Sequence, residues 1–91
     1  MKYTIETTNK FKKDLKLCQS RGYDLKKIHD VIQVLANGEK LSEKYRDHAL
    51  TGNWTGYREC HILPDWLLIY KYANDDLILF LTRTGTHSDL Y

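Results

Sequence analysis

One proline, two cysteines and no apolar run longer than the five residues Trp66 to Tyr70 set the first limits on this 91-residue chain. A run that short excludes a membrane-spanning helix, which needs about 20 apolar residues. The stretch Lys2 to Lys16 offers no apolar h-region, so no signal peptide is expected and the chain should remain in the cytoplasm. In that reducing compartment two cysteines do not make a disulfide framework, and Cys18 and Cys60 read as small buried hydrophobes. With only five glycines and one proline, a collagen-like rod or a low-complexity linker is also excluded. There is no internal repeat, and no Gly-x-Ser-x-Gly elbow for a nucleophilic serine. What is present is 42% hydrophobic and 29% charged residues, enough for one modest core and therefore one domain over residues 1–91.

The formal net charge of +2 hides an uneven distribution. Seven basic residues (Lys10, Lys12, Lys13, Lys16, Arg21, Lys26, Lys27) lie between positions 10 and 27 against two acidic ones, Asp14 and Asp24. From Val31 onward six basic residues face eight acidic ones. A concentrated basic patch suits a polyanion such as RNA, although a solvated helix face has the same composition.

Hydrophobic periodicity divides the chain in two. Tyr3 to Glu6 alternates as a short strand. Thr7 and Thr8 are caps for a helix to about Ser20 with Phe11, Leu15 and Cys18 on one face. Asp24 caps a second helix with Ile28, Val31, Ile32 and Leu35 inward, and Asn37-Gly38 supplies a left-handed stop. The second half reads as strands Tyr57–Leu63, Trp66–Ala73 and Leu77–Thr84, joined by turns at Pro64-Asp65 and Asn74-Asp75-Asp76. The expected fold is α+β, in βααβββ order, with two N-terminal helices packed on an antiparallel sheet. Period-two alternation puts Cys60 and Ile62 under the helices and leaves Glu59 and His61 together on the opposite, open face.

Several chemically capable groups then converge: His48, Glu59, His61, Asp65 in the turn that follows, and the Arg83–His87 segment beyond the last strand, carried back over the sheet by Gly85. Each alone has an ordinary structural explanation; it is their convergence that points to chemistry. Cleaving RNA at its own 2′-hydroxyl needs a base, an acid and a cation, and no metal. Histidine serves as base or acid near neutrality, and arginine matches phosphate oxygens bidentately. Tyr91, Tyr57 or Trp54 could stack on a base. His48, His61 and His87 are separated by 13 and 26 residues, which matches no compact metal-ligand motif, so neither metal nor cofactor is expected.

The segments Tyr45-Arg46-Asp47-His48-Ala49-Leu50-Thr51-Gly52-Asn53-Trp54, Gly56-Tyr57-Arg58-Glu59-Cys60-His61-Ile62-Leu63-Pro64-Asp65-Trp66, Leu68-Ile69-Tyr70-Lys71 and Arg83-Thr84-Gly85-Thr86-His87-Ser88-Asp89-Leu90-Tyr91 carry a resemblance that spans nearly the whole chain. In them the sequence resembles the YafQ branch of the RelE/ParE toxin superfamily. The resemblance implies a bacterial type II toxin, an mRNA interferase that cuts messages in the ribosomal A site. It also implies a cognate antitoxin with a ribbon-helix-helix DNA-binding part and an acidic segment, the pair repressing its own operator DNA. On these positions it makes His87 the general acid, Asp65 or His61 the base, Arg83 and His48 the phosphate-side stabilisers and Tyr91 the stacking aromatic. Glu59 would support them, and Lys10, Lys12, Lys13, Lys16, Lys26 and Lys27 would lie along ribosomal RNA. Two departures stand out: Glu59 replaces an aspartate, and Tyr91 replaces a phenylalanine. Two rival readings are a gyrase-binding toxin of the ParE type, which would not need the histidine cluster, and a non-enzymatic RNA-binding module.

Overall fold

The computed structural model describes all 91 residues. Its elements are β1 (Thr4–Thr7), α1 (Asn9–Ser20), α2 (Leu25–Ala36), a 3-10 turn (Glu43–Tyr45), β2 (His48–Ala49), a second 3-10 turn (Gly52–Trp54), β3 (Arg58–Leu63), β4 (Trp66–Ala73), β5 (Ile78–Gly85) and α3 (His87–Leu90). The α+β class and the helical hairpin stand as read from sequence, and the three long strands fall within one residue of their expected limits.

Local chemistry accounts for the helix ends. Thr8 Oγ1 accepts the Phe11 N–H at 3.0 Å and donates to the Thr82 carbonyl at 2.7 Å, so the cap also ties α1 to β5. Asp24 accepts the Lys26 N–H at 3.1 Å at the start of α2. Gly22 and Gly38, with φ of +82° and +77°, make the left-handed breaks after the two helices.

The sheet order is β1-β5-β4-β3-β2. β3, β4 and β5 form the expected antiparallel meander. The sheet as a whole is mixed, because β1 pairs parallel to β5, with Thr4 opposite Ile78. A parallel neighbour needs a long crossover, and the α1–α2 hairpin provides it. The two-residue β2 adds an antiparallel edge on β3, with His48 opposite Glu59.

Both sheet faces are covered, which explains why the later strands are apolar on both sides. Phe11, Cys18, Ile28, Val31 and Leu35 of the helices pack with Cys60, Ile62, Trp66, Leu68, Tyr70, Leu79 and Leu81. On the other face Leu67 and Ile69 pack with Leu90 of α3, flanked by Leu50, Trp54 and Tyr57. Cys18 and Cys60 are buried and unpaired as expected, and burial pushes the Cys60 thiol far up. The face expected to be open is therefore roofed by the C-terminal segment.

Candidate active site

α3 is one turn long, yet His87, Asp89 and Leu90 are each anchored. Gly85 starts the reversal; a Cβ there would meet Asp89 Oδ2 at 2.8 Å, so close approach requires glycine. Thr86 and Asp89 form a reciprocal capping box. Asp89 is gripped by Arg21 at the end of α1 through two bonds, at 2.6 and 3.0 Å. Arg21 and the Thr86 N–H hold the Asp89 carboxyl well below the usual carboxylate range. Leu90 is buried beside Leu67 and Ile69.

This seating places His87 against the turn that opens β4. Asp65 Oδ1 accepts both the His87 backbone N–H at 3.0 Å and His87 Nδ1 at 2.6 Å. Those two bonds hold the Asp65 carboxyl below its ordinary value. With Nδ1 donating to Asp65, His87 presents Nε2 to its surroundings. Its ring lies 5.7 Å from that of His61, which lies 6.4 Å from that of His48.

Glu59 is the hub beneath these rings, only 5% exposed. Its Oε1 faces His61 Nε2 at 3.3 Å and His48 Nε2 at 3.7 Å, and its Oε2 accepts a short hydrogen bond from the Tyr91 hydroxyl. Parity placed Glu59 on the correct face, but it is buried there rather than open. His48 Nδ1 lies 2.7 Å from the Arg46 carbonyl, which can only accept, so His48 Nδ1 carries the proton.

Glu59 and Tyr91, the two residues the resemblance marked as departures, meet each other here: the Glu59 carboxylate reaches the Tyr91 hydroxyl. Burial, with Glu59 beside it, raises the Tyr91 phenol well above its ordinary value. Tyr91→Phe leaves a buried carboxylate oxygen one donor short and is expected to cost about 1–3 kcal/mol, read by denaturant unfolding. Unchanged stability would show that the hydroxyl does not support Glu59.

Arg83 does not join this cluster. Its guanidinium lies on Asp14 of α1, at 2.7 and 3.1 Å, and Asp14 also accepts the Thr84 N–H at 3.2 Å. That ion pair raises the Arg83 pKa. The β4–β5 register slips here, leaving Thr82 without a partner between Leu81 and Arg83. Spacing alone could not show that Asp14, inside the basic patch, is the partner. The six lysines expected along RNA, Lys10, Lys12, Lys13, Lys16, Lys26 and Lys27, are all exposed, with Lys26 bonded to Asp30 at 3.2 Å.

A cleft of about 710 Å³ opens from the imidazoles toward α2. His61 and His87 line it with Lys27, Lys44, Tyr45 and Arg46, over a floor that includes Ile62 and Pro64. Residue type and spacing assign no role to Lys44, Tyr45 and Arg46, although the last two begin the Tyr45-Arg46-Asp47-His48 motif. Arg46 has a left-handed backbone, φ 49° and ψ 41°, costing about 1–2 kcal/mol for a residue with a Cβ. Asp47 turns the other way and binds Arg58 at 3.3 Å and the Tyr70 hydroxyl at 2.5 Å.

Glu59, His61 and His87 also bring ligand atoms within 4.8 Å of one another. Two imidazoles and a carboxylate suit zinc or copper, a donor set that residue spacing did not reveal.

Comparison with known proteins follows the same lines. Residues 3–91 match the family model described as the bacterial toxin of type II toxin-antitoxin system, YafQ. The chain is 43% identical over 88 residues to the mRNA interferase toxin YafQ of Escherichia coli K12, covering 96% of this chain and 94% of that one. Its structure is similar to that of YafQ in the E. coli DinJ–YafQ complex, with a TM-score of 0.89, 42% identity and 98% of each chain covered. It is also similar to a metal-bound toxin from Helicobacter pylori, with a TM-score of 0.92 and 46% identity over 98% of this chain and 99% of that one. A family match over nearly every residue, on a fold that brings the motif histidines together, makes this chain a member of the YafQ toxin family of type II toxin-antitoxin systems.

Proposed function

We propose that this protein is an mRNA interferase: an endoribonuclease that cuts messages in the ribosomal A site of the bacterial cytoplasm and so arrests translation. The observation that carries this reading is the juxtaposition of two carboxylate–imidazole pairs, Asp65–His87 and Glu59–His61, with their rings 5.7 Å apart on one cleft.

The chemistry follows from the hydrogen-bond directions. The substrate's 2′-oxygen attacks phosphorus, the P–O5′ bond breaks, the 2′-proton passes to a base, and an acid protonates O5′. His87 as imidazolium, oriented and charge-stabilised by Asp65, gives its Nε2 proton to the leaving oxygen. Asp65 takes two donors from His87 on its Oδ1, which hold its carboxyl below the ordinary value and make it the weaker base, so base duty falls to His61. His61 turns Nε2 toward Glu59 at 3.3 Å, which leaves Nδ1 as the nitrogen that accepts the proton. His48, bridged between the Arg46 carbonyl and Glu59, stands on the phosphate side. Tyr91, 59% exposed, keeps a ring face for a nucleobase while its hydroxyl stays on Glu59. Arg83 contributes by clamping α1 to the strand that leads into Gly85 and His87.

The exposed lysines of α1 and α2 supply the footprint for ribosomal RNA, and binding through them weakens as salt rises. Neutralisation falls to a small antitoxin of ribbon-helix-helix type with an acidic segment, in line with the complex that E. coli YafQ forms with DinJ. Contact with operator DNA comes through that partner.

The test is the chemistry of the ends. Message recovered from ribosomes exposed to the toxin is expected to carry a 2′,3′-cyclic phosphate upstream and a 5′-hydroxyl downstream of the cut. Uncut message, or a 3′-hydroxyl with a 5′-phosphate, would overturn the mechanism. The same pair of imidazoles predicts inhibition by soft divalent ions. Zinc or copper taken up by Glu59, His61 and His87 removes the lone pairs that carry protons, so cleavage is expected to stop on titration with either ion and return with a chelator. A rate that rises with the metal would reverse this assignment.

A further inference from the structure

We infer that Arg46 is the cation that binds the scissile phosphate, an assignment that rests on the ribonuclease reading above. The chain has four arginines, and three are already bonded to carboxylates. Arg21 grips Asp89 at 2.6 and 3.0 Å, Arg58 meets Asp47 at 3.3 Å, and Arg83 forks onto Asp14 at 2.7 and 3.1 Å. Arg46 alone has no carboxylate partner. It is exposed and lines the same cleft as His61 and His87.

The cost of recruiting each guanidinium decides between them. For Arg83 to meet a phosphate it must break two charged hydrogen bonds and abandon Asp14, whose side chain is 13% exposed, as an unpaired anion. Arg46 has only water to give up. Its planar fork matches two phosphate oxygens, which the point charge of neighbouring Lys44, over the Tyr45 ring at 5.0 Å, cannot do.

The backbone at this position points the same way. Arg46 sits in a left-handed conformation at the end of the 3-10 turn, where glycine or asparagine is the ordinary choice. That conformation delivers its carbonyl to His48 Nδ1 at 2.7 Å. One strained residue thus orients an imidazole through its main chain and offers an uncommitted guanidinium through its side chain. Strain of this kind is retained where it positions function.

The experiment compares Arg46→Gln, Arg46→Lys and Arg83→Gln in single-turnover cleavage of a defined message on programmed ribosomes. All Arg46 variants carry the same left-handed backbone burden, so rate differences among them report the side chain. Arg46→Gln is expected to lose about 10²-fold in rate with its melting temperature retained, and Arg46→Lys to fall between it and wild type. Added guanidinium ion should raise the rate of Arg46→Gln without raising that of wild type. Arg83→Gln is expected to lose thermal stability and to gain nothing from guanidinium. Wild-type cleavage by Arg46→Gln, or a loss that neither lysine nor guanidinium restores, overturns the assignment. His87→Ala run alongside separates the levels: if it still cuts at the wild-type rate the ribonuclease reading itself fails, whereas an inactive His87→Ala with an active Arg46→Gln removes Arg46 alone.

Discussion

His87→Ala is expected to lower single-turnover message cleavage by about 10²- to 10⁴-fold, the range for removing a general acid from an otherwise intact site. The loss should be chemical rather than structural. The His87 side chain is 53% exposed and its polar contact is with Asp65, itself exposed, so the melting temperature is expected to stay close to wild type. α3 keeps its other anchors: the Arg21–Asp89 fork, the Thr86 cap, the Leu90 plug and the Tyr91–Glu59 bond. Glutamine at 87 fills the space without donating a proton at neutral pH and should behave as alanine does. Adding His61→Ala to His87→Ala is expected to cost far less than the product of the single losses, because acid and base act as one unit. A folded His87→Ala protein that cuts at the wild-type rate would move the chemistry away from this cluster.

How far the sequence reached is clear from particular residues. Cap chemistry and period made α1, α2 and the meander legible: Thr8, Asp24, Gly22 and Gly38 each stand where a local rule puts them. The parallel pairing of β1 with β5 was not legible, since four residues of alternation carry no signal about a partner 74 positions away. Parity found the right face for Glu59 and His61, but the burial of Glu59 depends on a roof made by α3, a single turn too short to announce itself. The histidines, Asp65 and Tyr91 emerged from motif and resemblance together, and the fold does bring them to one place. Arg83 shows the limit. Its residue type and motif suggest a phosphate ligand, but charge pairing is a property of three-dimensional neighbours, and Asp14 reaches it from 69 positions away. Arg46 is the converse case, because its left-handed backbone and its freedom from any carboxylate exist only in the folded chain.

Trp66→Ala is expected to be the most damaging single substitution to the fold, at about 3–5 kcal/mol out of a total stability of the order of 5–15 kcal/mol. Trp66 is 1% exposed, at the centre of the main core, with its ring centroid 4.8 Å from that of Tyr23. Truncation opens a cavity that neighbours on a sheet and two packed helices cannot close. It also deprives the buried Thr84 hydroxyl of the Nε1–H it accepts at 2.9 Å, although that hydroxyl still donates to the Leu67 carbonyl at 2.7 Å. At roughly 4–8 °C per kcal/mol for a domain of this size, the melting temperature should fall by more than 10 °C. Trp66→Phe divides the effect, since it keeps most of the apolar volume and loses the indole donor, and should cost much less. The consequence reaches the site because Trp66 pairs with Leu63 where β4 begins, next to Asp65, while its indole bond fixes Thr84 one residue before Gly85. Asp65 and His87 are thus set from both sides by one buried ring. Cleavage by Trp66→Ala should therefore fall at temperatures below its melting point, as the Asp65–His87 alignment loosens before the chain unfolds. A variant that melts within a few degrees of wild type and retains full activity would show that neither the core nor the site depends on this ring.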